Sequence, residues 1–333
     1  MPTPRAQSLN IAVTPYYHCV SRCVRRAFLC GEDPYTNRSF EHRRQWLVDR
    51  LHVLSDIFAV EVCAYAVMSN HFHLVLRVDR EAALSWSDEE VADRYGRLFK
   101  NAKGQLALLD PKRRAARLEL WRGRLWDLSW MMRGLNEYIA RRANKEDGCK
   151  GRFWEGRFKS QPLLDDAAVL TCMTYVDLNP VRAGLAKRLE ESSFTSIAAR
   201  LAEATRRMDG SSGRHVEDLQ SGTAPRGLAP FSDQAPPGVA AAIPVTMPDY
   251  VNLVRWTGRS VLRGKGRVTG PPPAAIVRLS ISPEVWLRTM SEHGLSRAGV
   301  LGCVEGLSEL ASQRGQRWVR GCGLARRLFR AAA

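Results

Sequence analysis

Val60–Met68 (VEVCAYAVM) and His71–Val78 (HFHLVLRV), separated only by Ser69-Asn70, decide how the rest of the chain is read. Both runs are rich in β-branched and aromatic residues, and the two residues between them suit a tight turn, so the segment predicts a β-hairpin. Successive side chains of a strand point to opposite faces, which puts His71 and His73 together on one side. Phe72, Leu74, Leu76 and Val78 fall on the other, where they can pack on a helix and hold the imidazoles rigid. Two imidazoles so placed make a bidentate platform for a metal ion, although hydrogen-bonded structural histidines satisfy the same pattern.

Upstream, Tyr16–Arg22 (YYHCVSR) reads as a first strand, and a helix follows with Ser39 as its N-cap and Leu47, Leu51, Leu54 and Phe58 on one face. Downstream, about Glu81 to Lys145 is rich in helix formers, with Leu128, Met131, Leu135 and Ile139 in one apolar stripe. Gly148 and Gly151 break this run. GRFWEGRFKSQPLL (Gly151–Leu164) then predicts a loop entering a short edge strand ended by Pro162. A further helix starts after Asp165, a good N-cap, and runs through AAVLTCMTYVDLN to Pro180, whose ring disfavours helical geometry in the residue before it.

Tyr175 and Asn179 are four apart at the end of that helix and share a face. A tyrosine there usually packs in a core, and a phenol with a pKa near 10 attacks poorly at neutral pH unless a cation or base supports it. Asn179 offers an amide oxygen that, with two imidazoles, would leave open positions on a metal ion for water and a phosphate oxygen. Ahead of the helix, Arg141, Arg142, Lys150, Arg152, Arg157 and Lys159 are interleaved with Trp154 and Phe158. Cations neutralise phosphates and aromatic faces stack unpaired bases, so these residues predict a DNA-binding surface. The plainer reading of the same stretch is a solvated basic loop with a buried Trp. Arg182, just beyond Asn179, can also reach a phosphate.

The sequence has 333 residues, with 50 Lys and Arg against 34 Asp and Glu, a net charge of +16 that suits a polyanionic partner. No apolar run approaches the length of a membrane span and the N-terminus has no signal core, so no membrane partner and a cytoplasmic, nucleoid-associated location are expected. Eight cysteines form no C-x-x-C pair and are expected as reduced thiols; His18 with Cys19, Cys23 and Cys30 matches no standard metal spacing. Asp209–Val245 is rich in Gly, Ser, Pro and Ala. The chain is therefore divided into residues 1–200 with a helical insertion at about 80–150, a flexible linker at 201–246, and a helical basic C-terminal domain at 247–333.

Three blocks in order, VMSNHFHLVLRV, RFWEGRFKS and YVDLNPVRAGL, resemble the single-tyrosine transposases of the HUH superfamily, most closely the REP-associated tyrosine transposases. The resemblance covers roughly residues 10–200, and YVNLVRWTGR is similar to the C-terminal extension of longer members. It implies an α+β fold, a ferredoxin-like antiparallel sheet with helices, the HUH endonuclease fold, plus the mostly helical C-terminal domain. The long insertion departs from the family pattern. The resemblance further implies a nucleophile at Tyr175 and metal ligands at His71, His73 and Asn179, with Mg2+ or Mn2+ as cofactor and single-stranded or hairpin DNA as partner. Tyr175 would attack phosphorus in line, leaving a 5′-phosphotyrosine and a free 3′-hydroxyl, and reversal would rejoin the strand without a nucleotide cofactor. Tyr138 is a rival nucleophile without an amide one turn on. The alternatives are a non-catalytic repressor of the same fold and a replication initiator or relaxase of the same superfamily. Monomer and homodimer are both left open.

Overall fold

The computed structural model describes residues 9–24, 28–33, 37–186, 189–209, 227–235, 242–262, 270–279, 281–291, 295 and 298–329. A four-stranded antiparallel sheet organises it, formed by β1 (Tyr16–Arg22), β4 (Val60–Val67), β5 (His71–Val78) and β6 (Lys159–Leu163) in the order β4-β5-β1-β6. A separate two-stranded ribbon pairs β2 (Glu32–Asp33) with β3 (Arg38–Ser39). The predicted hairpin is present: Met68 N–H donates to His71 O at 2.8 Å across Ser69-Asn70. β5 continues into β1, with Val20 opposite His73 and Arg22 opposite His71. β6 is the expected edge strand, but Pro162 lies within it rather than ending it, opposite Tyr17.

Helix α1 (His42–Ser55) joins β1 to β4, and α2 (Arg80–Ser85), α3 (Asp88–Leu98), α4 (Ala102–Ala107), α5 (Pro111–Leu125) and α6 (Leu128–Glu146) join β5 to β6. The expected insertion is therefore helical throughout. Ser39 is not the N-cap of α1; it belongs to β3, and Glu41 stands at the cap without a side-chain cap bond. The apolar stripes of α1 (Leu47, Leu51, Leu54) and α6 (Leu128, Met131, Leu135, Ile139) are buried together with Phe72, Leu74, Leu76 and Val78 on one face of the sheet. Each fully buried side chain of this size contributes roughly 1.5–3 kcal/mol, so this layer fixes the sheet on which the histidines stand.

The other face is covered by α7 (Asp166–Asp177), which packs across β4, β5 and β6. Asp165 caps it as expected, its carboxylate accepting from Ala168 N–H at 2.8 Å. The helix ends at Asp177, and a separate turn, α8 (Asn179–Arg182), starts at Asn179 with Pro180 in its first turn, where a missing N–H costs nothing. Leu178 between them keeps a helical backbone (φ −86°, ψ −4°), so Tyr175 and Asn179 stay one turn apart.

The remaining helices are α9 (Ser196–Asp209), α10 (Met247–Leu262), α11 (Ala274–Arg278), α12 (Pro283–Ser291), α13 (Val304–Gln313) and α14 (Cys322–Leu328). They do not form a detached unit among the described residues: Tyr175, Val176 and Leu178 share one core with Tyr250, Leu253, Trp286, Leu301 and Leu328. Half of the expected linker, 210–226 and 236–241, lies outside the described residues. Its described parts are built in: Phe231 and Ile243 are buried, and Ala229 N–H donates to Val62 O at 2.8 Å along the edge of β4. Asp177, wholly buried, ties these layers by accepting from Ser196 Oγ (2.5 Å), Ile197 N–H (3.0 Å) and Tyr250 OH (2.6 Å).

Candidate active site

The face of the sheet under α7 carries His71, His73, Val20, Arg22 and, one strand position away, His18 and Gln161, because pairing puts their registers side by side. Tyr175 comes down from α7 onto this row. Its ring centroid is 6.1 Å from that of His73 and 6.4 Å from that of His18, both edge-on. Arg182 lies over the other side of the phenol, with its guanidinium carbon 4.3 Å from the ring centroid, and Arg182 Nη1 donates to Asn179 Oδ1 at 3.3 Å. His71, His73, Tyr175, Asn179 and Arg182 thus meet in one cleft of about 880 Å3.

Three further residues, His18, Gln161 and Arg320, were not placed in this cleft from sequence. The first two settle the protonation pattern. Gln161 Nε2 donates to Leu295 O (3.1 Å) and Ala298 O (2.7 Å), a pair of acceptors that only its NH2 can serve. Its Oε1 must then accept from His18 Nδ1–H at 3.0 Å. With its proton on Nδ1, His18 presents a lone pair at Nε2, which accepts from His73 Nδ1–H at 2.8 Å. The Nε2 of His73 is left as a lone pair. The turn does the same for His71, whose Nδ1–H donates to Asn70 Oδ1 at 2.6 Å. Bonds of this kind at one ring nitrogen fix the tautomer and orient the other for a ligand.

Burial holds all three rings neutral. It pushes His18 down to about 4 against a partial counter-pull from Gln161, and pushes His71 down to about 4 with help from Arg22. His73 is driven well below the usual imidazole range, first by burial and then by the neighbouring His18, His71, Arg182 and Arg22. Neutral imidazoles with exposed lone pairs are the form that binds metals. Asn179 is buried, with Nδ2 unpartnered and Oδ1 serving one donor, so its amide is not satisfied by the protein alone. Among the described residues no group of three His, Cys, Asp or Glu converges as a metal site, so no carboxylate or thiolate joins the two imidazoles. His71, His73 and Asn179 line one cleft, so two imidazole nitrogens and the second lone pair of an amide oxygen are the donors it could offer a divalent ion. His18 with the nearby cysteines forms no such group, and all eight cysteines remain thiols.

Among the described residues, Arg22, Arg157, Lys159, Arg182 and Arg320 line the cleft against a single carboxylate, Glu155. Arg320 arrives from the C-terminal segment, where Gly299 and Val300 N–H groups donate to its carbonyl at 2.8 and 2.9 Å. No protein-family model matches the sequence, and no curated protein does. Among solved structures, the chain is similar to a REP-associated tyrosine transposase bound to a REP hairpin, at 14% identity and a TM-score of 0.36. The likeness covers 68% of this chain and 97% of that one. At that distance the fold has to be read from the strand order and the chemistry from the side chains.

The expected DNA-binding residues separate into groups. Arg157, Lys159 and Arg182 line the cleft, whereas Lys150 and Arg152 are exposed and do not line it. Arg141 and Arg142 line a different groove on α6. Trp154 and Phe158 require correction as stacking platforms: both are buried in the core. Trp154 Nε1–H donates to Asn136 O at 2.9 Å, and its ring meets Phe72 edge-on at 5.6 Å, so the plainer reading of a buried Trp in a basic loop holds. Tyr138 shares the groove of Arg142, whose Nη1 donates to its hydroxyl at 2.8 Å, on the sheet face away from the histidines. No helix among the described residues is long and apolar enough to cross a membrane.

Proposed function

We propose that this cleft cuts and rejoins single-stranded DNA, with Tyr175 as nucleophile, in the manner of the single-tyrosine HUH transposases associated with REP elements. The observation that carries the reading is the phenol of Tyr175 set edge-on against His73 inside a cleft with five cations. The β-α-β-β-α-β chain order, with β1 and β5 central, supports the ferredoxin-like sheet of that superfamily.

His71, His73 and Asn179 would hold Mg2+ or Mn2+, with imidazole ligands favouring the softer Mn2+. When bound, a divalent ion polarises the scissile phosphate and stabilises the leaving oxygen. The chain's own residues do the rest. Arg22, Arg157 and Lys159 seat the phosphodiester backbone. Arg182, fixed against the phenol and Asn179, sets a positive charge beside the phosphate that Tyr175 attacks. In the attack the phenol oxygen bonds to phosphorus and gives its proton to solvent, while the P–O3′ bond breaks and the departing 3′ oxygen takes up one proton from solvent to become a hydroxyl. The phosphotyrosine keeps the phosphodiester bond energy for the reverse step.

The test is incubation of the full chain with labelled single-stranded hairpin DNA and Mn2+, followed by denaturing electrophoresis. Wild type forms a protein–DNA adduct and Tyr175→Phe forms none while still binding the DNA. An undiminished adduct from Tyr175→Phe refutes the assignment; no adduct from wild type on any hairpin favours a non-catalytic DNA-binding protein.

A further inference from the structure

On the sheet face away from the histidines, α1, α3, α4, α5 and α6 enclose a second groove of about 950 Å3. One wall is the outer side of α6, whose inner side is the buried stripe. Two adjacent rows run along it: Arg133, Glu137, Arg141 and Lys145, then Trp130, Gly134, Tyr138 and Arg142. At 1.5 Å per residue the run from Trp130 to Lys145 is about 22 Å long. Arg50, Arg117 and Arg124 face it from α1 and α5. Seven cations thus line the groove against one carboxylate, Glu137, which pairs with Arg133 at 2.7 Å.

The guanidinium groups are not loose. Arg142 lies 3.9 Å over Trp46, Arg124 lies 4.2 Å over Trp130, and Arg50 lies 5.1 Å over Tyr138. Stacking on a ring pre-orients the planar fork for a phosphate at little entropic cost. It also covers the ring faces on which unpaired bases would stack, and Tyr95 is already stacked on Trp121 at 4.4 Å. Single-strand binding depends on such open platforms. Phe99, 47% exposed, is the one ring among the described lining residues left largely open; a long row of charge whose other ring faces are occupied suits a regular backbone instead.

We propose that this groove seats the phosphate backbone of a DNA duplex, over about two-thirds of a helical turn at a pitch of roughly 34 Å. It is a second site on the helical insertion, separate from the cleft, and it does not depend on the cleavage reading. The groove contacts phosphates and reads no bases, so its contribution is independent of sequence and steeply dependent on salt.

The test compares full-length wild type with Arg117→Ala/Arg133→Ala/Lys145→Ala, three exposed side chains from both walls. Fluorescence anisotropy is followed against salt with a blunt duplex and with a single strand of the same length. Thermal melting checks that the variant remains folded. The expected result is a slope of log K against log salt shallower by about 2.7 for the duplex, at roughly 0.9 per lost phosphate contact. Single-strand binding changes by no more than twofold. An unchanged duplex slope overturns the proposal, and so does a loss on the single strand as large as that on the duplex. Adduct formation at Tyr175 is scored separately, so failure of the cleavage reading leaves this result interpretable.

Discussion

Replacing Gln161 by Met removes the two donors and one acceptor that begin the bond chain to His73, while keeping side-chain length and burial. Without Oε1 at 3.0 Å, His18 has nothing holding its proton on Nδ1. Its Nε2 can then carry the proton toward His73, which must answer with a lone pair at Nδ1 and a proton at Nε2, the atom that the proposed ion would need unprotonated. Loss of an outer partner of this kind costs roughly 10–100-fold in metal affinity, or about 1.4–2.7 kcal/mol. Fold stability also suffers, because Leu295 O and Ala298 O lose their donors, at about 1–3 kcal/mol for each buried group left unsatisfied. Leu51→Ala provides the control for stability alone. It opens a cavity on the opposite face of the sheet and costs about 2–5 kcal/mol, yet should leave metal binding unchanged. Mn2+ affinity is read by calorimetry on the full chain, and the tautomer of His73 by imidazole nitrogen NMR without metal. A Gln161→Met protein that binds Mn2+ within twofold of wild type, with the His73 proton still on Nδ1, refutes the relay.

Four other outcomes are expected. Asp177→Ala strands Tyr250 OH and Ser196 Oγ and removes the carboxylate facing buried Arg200. It should cost about 3–5 kcal/mol in urea unfolding, and a loss below 1 kcal/mol contradicts the tie it makes between layers. Because His18 is pushed down to about 4, the unfolded chain binds more protons between about pH 6.5 and 4. Its stabilising contribution is therefore complete above pH 6.5 and lost as pH falls through that window; an unchanged urea midpoint between pH 7 and 5 argues against a buried neutral ring. Gly321 has φ +141°, and a Cβ there would collide with Val300 O, so Gly321→Ala should lower the melting temperature and loosen Arg320 in the cleft. A divalent ion entering among five cations is opposed until a phosphate arrives, so Mn2+ should bind more tightly with a single-stranded oligonucleotide present, and the oligonucleotide more tightly with Mn2+. Titration of each in the other's presence checks this, and independence counts against a shared site.

The hairpin, the shared face of His71 and His73, the Asp165 cap and the α6 stripe were legible because each follows from periodicity within one element. The meeting of Tyr175 with His73 followed less directly, from motif order, and the packing of α7 across the sheet supplies it. His18 and Gln161 were not legible. Their roles depend on registers that join β1 to β5 and β6 over separations of 55 and 143 residues, which no local spacing encodes. Trp154 and Phe158 misled because an aromatic between arginines reads alike whether it faces solvent or the core. The low apolar content of 201–246 suggested a spacer, but a few side chains such as Phe231 are enough to anchor part of it.

The carbonyls that orient Gln161 belong to residues 295 and 298, and Arg320 comes later still. At a synthesis rate of about 5–20 residues per second, the ribosome adds residue 295 roughly 6–24 s after Tyr175. Throughout that interval a growing polypeptide holds its phenol and imidazoles without the two carbonyls that orient Gln161 and so fix the proton positions on His18 and His73. If the cleft cuts DNA as proposed, its competence should therefore arrive only once residues 295 and 298 have been made and have folded onto Gln161. Stalled ribosomal complexes ending before residue 295 should form no adduct, and adduct from such complexes would show that the closing segment is dispensable.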